Sequence, residues 1–163
     1  MNFRPARENE ATALSELAAA SKAHWPYTSA QLAVWQEDLT ISPEMIRSFP
    51  TYVAELGQEH VGFFLLIPEG VQWKLEHFWM HPLHMGKGYG KNMLSKAASI
   101  AALGGAASLL IDSDPNAESF YLACGAERIG ELPAPIAGAA ERVLPILRLS
   151  TKLSPHASEA SCN

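Results

Sequence analysis

Cysteine is nearly absent from this sequence of 163 residues, where only Cys124 and Cys162 occur. Two cysteines build neither a disulfide framework nor a cysteine-rich zinc site. Positive charge is in deficit as well, with 12 Lys and Arg against 17 Asp and Glu and a net charge of −5. A general nucleic-acid binder draws its affinity from clustered Lys and Arg that neutralise phosphates, so the balance argues against that class and mildly favours a neutral or cationic substrate. No apolar run approaches the roughly 20 residues of a membrane span. The opening MNFRPARENE is too polar for a signal peptide. The expectation is a cytoplasmic protein that works without membrane or nucleic acid.

What is present is a large apolar fraction, 48% of residues, enough for one globular domain with a substantial core. Its expected extent is residues 1–153, with SPHASEASCN (154–163) as a flexible tail. After a short extended start at Asn2 to Pro5, ENEATALSELAAASKAHW places Ala13, Leu14, Leu17, Ala18 and Ser21 at helical spacing. TSAQLAVWQEDL follows with Thr28 or Ser29 as N-cap, and SPEMIRSF reads as a short helix with Pro43 at its first position. TYVAEL, HVGFFLLIP and VQWKLEHFWMHP are rich in β-branched and aromatic residues and predict an antiparallel meander. A helix is predicted from Lys91 to the Gly104-Gly105 stop, then a strand in AASLLIDSD, a helix from Pro115 to Gly125, and strands in ERIGEL and ERVLPILRLST.

Between the third meander strand and the long helix lies HMGKGYGKNML, residues 84–94, with glycine at three alternate positions. Glycine costs a helix roughly 1 kcal/mol relative to alanine, so this density points to a backbone requirement. The first N–H groups of a helix have no partner within it, and the macrodipole adds roughly half a positive charge there. Gly86, Gly88 and Gly90 would let N–H groups converge on phosphate oxygens, with Lys87 and Lys91 at the rim. A pyrophosphate has the right size. The P-loop pattern G-x-x-x-x-G-K-[ST] fails twice, because Met85 stands at its first glycine and Asn92 at its hydroxyl position. The dinucleotide pattern G-x-G-x-x-G fails too, since its third glycine would fall on Lys91 or Met93.

Taken with the strand LEHFWMHP and the later block NAESFYLACGAERIG, the loop MGKGYG resembles the GCN5-related N-acetyltransferase superfamily in order, spacing and predicted structure. The resemblance covers about Val53 to Gly130 and reaches the N-terminal helices only in outline. It implies an α/β (α+β) fold with a mixed, mostly antiparallel sheet of six or seven strands, splayed in the middle and flanked by about four helices. It also implies acetyl-CoA (coenzyme A) as co-substrate, wedged in the splay. Carried over residue by residue, the backbone of Phe78, Trp79 and Met80 would pair with the pantetheine arm. Met85, Gly86, Lys87, Gly88, Tyr89, Gly90 and Lys91 would hold the pyrophosphate, and Asn116 would touch the cofactor arm. The family's loop begins with Arg or Gln where this chain has Met85, which removes a charged group and keeps the N–H. Family members often form homodimers, and nothing in this chain fixes an interface.

The implied reaction is direct attack of a small-molecule or peptide amine on the thioester. An alkyl amine with a pKa near 10.4 is charged at pH 7, and neutralising it costs roughly 4.6 kcal/mol. Glu76 acting through water is the favoured base by family likeness, provided burial raises it, while His77 and His81 have the better matched pKa near 6.5. Strict alternation would set Glu76, Phe78 and Met80 on one face and His77, Trp79 and His81 on the other. Tyr121 is expected to offer its hydroxyl to the departing sulfur as a hydrogen-bond donor, because full proton transfer from a phenol to a thiolate is uphill by roughly 2 kcal/mol. Trp25, Tyr27, Trp35 and Phe49 are candidates for an acceptor wall or for core. The alternative reading is a catalytically degenerate acyl-CoA-binding module or sensor.

Overall fold

The computed structural model describes residues 1–152. The tail expected at 154–163, with Cys162, lies outside them. One seven-stranded sheet runs through the structure in the order β1 (Asn2–Pro5), β2 (Thr51–Leu56), β3 (Glu59–Ile67), β4 (Gln72–Met80), β5 (Ser108–Asp112), β7 (Val143–Ser150) and β6 (Glu127–Pro133). Every pairing is antiparallel except β4 with β5. Among the described residues five α-helices accompany it, α1 (Ala11–Ala23), α2 (Ser29–Val34), α3 (Pro43–Ser48), α4 (Tyr89–Leu103) and α5 (Glu118–Ala123). The fold is therefore the mixed, mostly antiparallel α/β arrangement expected.

The two faces of the sheet bury different helices. Met93, Leu94, Ala97 and Ala101 of α4 pack on Phe64, Leu66, Trp73, Leu75 and Leu109. Leu14, Leu17 and Ala18 of α1 and Ile46 of α3 pack on Val53 and Phe63 from the opposite side. Each of these large side chains contributes roughly 1.5–3 kcal/mol by leaving water.

Local chemistry sets the helix ends. Thr28 and Gln31 form a reciprocal capping box that starts α2, and Ser42 caps α3 with Pro43 in its first turn. The second helix is shorter than TSAQLAVWQEDL predicts, ending at Val34. At the far end of α4, a Cβ on Gly104 would lie 2.1 Å from the Trp73 ring, so glycine is required there by close packing. No helix among the described residues is long and apolar enough to cross a membrane.

Candidate active site

The parallel contact between β4 and β5 is brief. It joins Gln72, Trp73 and Lys74 to Ser108, Leu109 and Leu110, and stops there. β4 runs on to Met80 paired with β3 alone, while β5 continues along β7 as far as Asp112. The sheet thus opens in its middle, and the stretch from Leu75 to Met80 presents an edge inside it. Backbone N–H and C=O groups along such an edge need partners, and an extended ligand can supply them as an added strand would.

A bulge lies at the mouth of this opening. His77 pairs with Leu65 and Leu75 with Leu66, leaving Glu76 as an extra residue without a partner on β3. The strict alternation expected along β4 is therefore broken at Glu76. Leu75 and Met80 both join the α4 cluster, with Phe78 packed against it, whereas Trp79 packs toward α1 and His77 stacks on Phe63. Glu76 shares the side of Lys74, whose Nζ lies 2.8 Å from its carboxylate and 3.4 Å from that of Asp112 across the gap. Burial pulls the Lys74 ammonium down, but the two carboxylates outweigh it and hold its pKa above the ordinary lysine value. Glu76 itself is exposed, so the burial expected of it is not found.

The two histidines weighed against Glu76 are differently occupied. Trp79 donates its indole N–H to Nδ1 of His77 at 3.1 Å, and burial pushes this imidazole below its usual range. His81 uses Nδ1 to accept the backbone N–H of Leu83 in the 3-10 turn Pro82–His84. Neither ring offers a free Nδ1 lone pair.

The glycine loop connects that turn to α4. Gly86 (φ +73) and Gly88 (φ +82) are left-handed, and a Cβ at either would meet nothing within 4 Å. Gly88 is the N-cap of α4, and no side chain caps this 15-residue helix. An uncapped, open helix start flanked by exposed Lys87 and Lys91 fits an anion. Gly90 faces inward, where a Cβ would come within 3.1 Å of Phe120.

Phe120 leads directly to Tyr121 on α5. The Tyr121 ring is buried, with its centroid 5.9 Å from that of Phe78 and 5.1 Å from that of Phe120. Burial drives its phenol well above the usual tyrosine value. Among the described residues its hydroxyl has no hydrogen-bond partner. Helix α5 is short, beginning at Glu118 after a 3-10 turn (Pro115–Ala117) rather than at Pro115 as its sequence predicts.

A family model described as Acetyltransferase (GNAT) domain matches residues 47–125, from α3 through the loop to the end of α5. This segment is similar to the GNAT acetyltransferase domain, and the fold as a whole is the GNAT fold. Among solved structures, a GCN5-related N-acetyltransferase from Rhodopseudomonas palustris superposes with a TM-score of 0.76 at 20% identity, covering 91% of this chain and 94% of that one. The PaiA N-acetyltransferase from Thermoplasma acidophilum, solved with coenzyme A, gives 0.71 at 18% identity over 91% and 98% of the two chains. A protein from Salmonella typhimurium, solved with its cofactor acetyl-CoA, gives 0.67 at 19% identity over 99% of both. At such identities these likenesses speak for the fold. No curated protein matches the sequence.

Within this GNAT fold, the sequence reading missed a buried polar cluster next to α5. Lys22 Nζ donates to Asp114 Oδ2 at 2.5 Å, and the Tyr27 hydroxyl donates to the same oxygen at 2.8 Å. The Lys22 ammonium lies 4.2 Å from the Trp35 ring centroid, and the Arg142 guanidinium carbon 5.1 Å from it. The Asn116 amide, expected to reach a cofactor arm, is tied into the cluster through Asp114 and Tyr27. Of the four proposed wall aromatics, the structure brings only Tyr27 and Trp35 together, at 4.8 Å between centroids. The one available signal was spacing, because Lys22 continues the buried row Leu14, Ala18 at i+4.

A groove of about 350 Å³ between α4 and the end of β7, lined by Ser95, Cys124, Thr151 and Lys152, approaches the loop only at Lys91.

Proposed function

We propose that this protein of GNAT fold is an acetyl-CoA-dependent N-acetyltransferase that acts on a primary amine of a small molecule or peptide by direct attack. The observation that carries this reading is the interrupted β4–β5 pairing, with the glycine loop at one end and Tyr121 beside it. The coenzyme A and acetyl-CoA bound in two similar folds support the choice of donor.

The residues present fit that co-substrate. The edge from Phe78 through Trp79 to Met80 hydrogen-bonds the extended pantetheine arm. The loop from Met85 to Lys91 takes the pyrophosphate, with N–H groups converging from the left-handed glycines and the start of α4, and Asn116 contacts the arm from the 3-10 turn before α5. Met85 serves through its backbone N–H. Bound there, the co-substrate supplies an acyl group on a thioester.

Chain residues then handle two protons. Glu76, held in place by Lys74, orients a water beside the incoming ammonium, whose proton leaves through it to solvent, a step that costs roughly 4.6 kcal/mol at pH 7. The nitrogen attacks the carbonyl carbon, the carbon–sulfur bond breaks, and the proton the nitrogen sheds on becoming an amide passes through water to the departing thiolate. Tyr121 donates a hydrogen bond to the departing sulfur. Its raised phenol keeps its proton, so it stabilises developing negative charge without becoming charged.

Thiol release from acetyl-CoA, measured over polyamines, aminoglycosides, amino acids and peptide N-termini, tests the reading. Amine-dependent release that grows with pH is expected. Tight coenzyme A binding with no turnover on any acceptor would instead identify a binding module.

A further inference from the structure

Asp114 sits where β5 ends, and every polar group that reaches its carboxylate is a donor. Oδ2 receives Lys22 Nζ and the Tyr27 hydroxyl, while Oδ1 receives the backbone N–H of Asn116 and its side-chain Nδ2, both at 2.9 Å. Arg142 stands 3.6 Å away, a second cation beside one anion. An ionised carboxylate accepts only, so the group placed against it must be an N–H or O–H.

This constrains the Asn116 amide. Its Nδ2 carries two hydrogens, and the structure gives each a partner, Asp114 Oδ1 at 2.9 Å and the Tyr27 oxygen at 3.2 Å. A flipped amide would press its carbonyl oxygen against the carboxylate, and the Tyr27 oxygen would keep only the longer contact from Arg142, at 3.4 Å. Asn116 is exposed, and among the described residues its Oδ1 has no donor. The group left for a ligand is therefore an acceptor. Tyr27, which supplies the second restraint, comes from the segment between α1 and α2 on the opposite side of the opening from α4.

We propose that Asp114 and Tyr27 are positioning residues that fix the polarity of the Asn116 amide, so that Asn116 binds acyl-CoA by accepting an amide N–H of the pantetheine arm through its carbonyl oxygen. The inference rests on the acetyl-CoA reading above and adds to it a direction for one hydrogen bond and the residues that enforce it. Docking of the Tyr27 segment thereby contributes to co-substrate affinity, although this segment belongs to the α1 side of the sheet.

The test compares coenzyme A with two analogues, each having one pantetheine amide N–H replaced by an ester oxygen, by calorimetric titration of the full chain. Wild type should bind one analogue about tenfold more weakly than coenzyme A, the size of one lost hydrogen bond. Asn116→Ala should bind that analogue and coenzyme A alike. In Tyr27→Phe, and in Asp114→Asn where the variant folds, the discrimination should shrink to about threefold or less. A purely structural role would weaken both ligands equally and keep the tenfold ratio, which overturns the proposal. Equal binding of all three ligands by wild type overturns it too. Failure of wild type to bind coenzyme A at all would instead remove the reading on which it rests.

Discussion

Trp79 donates its indole N–H to Nδ1 of His77 at 3.1 Å, and this one bond decides the tautomer of the histidine. An indole nitrogen is only a donor, so Nδ1 must accept and the proton resides on Nε2. A doubly protonated ring would set N–H against N–H, and burial already disfavours the charge. We expect His77 to stay neutral below its ordinary value near 6.5. Its contribution to stability is complete above that value and is lost as pH falls through the lower folded value, where the unfolded chain takes up the proton first. Imidazole NMR signals followed against pH check this. A His77 titrating at or above 6.5 would contradict it.

Replacing Tyr121 by Phe should lower kcat on the order of a hundredfold while leaving acetyl-CoA affinity nearly unchanged, because only a transition-state hydrogen bond is removed. The ring stays packed on Phe78 and Phe120, so melting temperature should hardly move. Steady-state kinetics with an accepted amine provide the measurement. An unchanged kcat would take Tyr121 out of the mechanism.

Gly104 should not tolerate even alanine. The added methyl would enter the Trp73 ring, which is buried under α4, and overpacking of this kind costs about 1–3 kcal/mol. Chemical denaturation of Gly104→Ala against wild type measures it. Gly88→Val meets open space but would be forced into a left-handed backbone, so it should retain the fold with a small stability loss and lose most coenzyme A affinity.

The N-terminal strand is tied down by charge. Arg4 donates to Glu10 at 2.6 and 2.9 Å and to Glu55 at 2.6 and 2.9 Å. Its guanidinium, opposed by partial burial, holds the Glu10 carboxyl down at about 2. A carboxyl lowered by folding stabilises above its unfolded value near 4.5, and that stability drains away as pH falls toward 2. The slope of unfolding free energy between these limits should flatten in Arg4→Ala. A slope identical to wild type would show that the pair contributes nothing.

These residues also show how far the sequence could be read. The β-branched and aromatic content of HVGFFLLIP and VQWKLEHFWMHP and the glycine spacing before Asn92 report local backbone preference, and the strands, the loop and, two residues early at Tyr89, the start of α4 follow from them. Glu76 was misplaced because a bulge is fixed by how β3 and β4 pair, and a single extra residue inverts every face after it. The Lys22–Asp114 pair joins residues 92 positions apart and depends on how α1 meets the end of β5, so local spacing marks Lys22 as buried but does not name its partner. Asn116 illustrates both: its position in the motif was legible, while the direction of its amide depends on partners brought in by the fold.

The central claim is that acetyl-CoA lies in the gap between β4 and β5 with its pyrophosphate at the glycine loop. Backbone amide NMR shifts on titration with acetyl-CoA test it most directly. The account predicts saturable shifts concentrated at Phe78–Met80, Met85–Lys91 and Asn116. Absence of binding, or shifts confined to the groove lined by Ser95, Cys124 and Lys152, would contradict it.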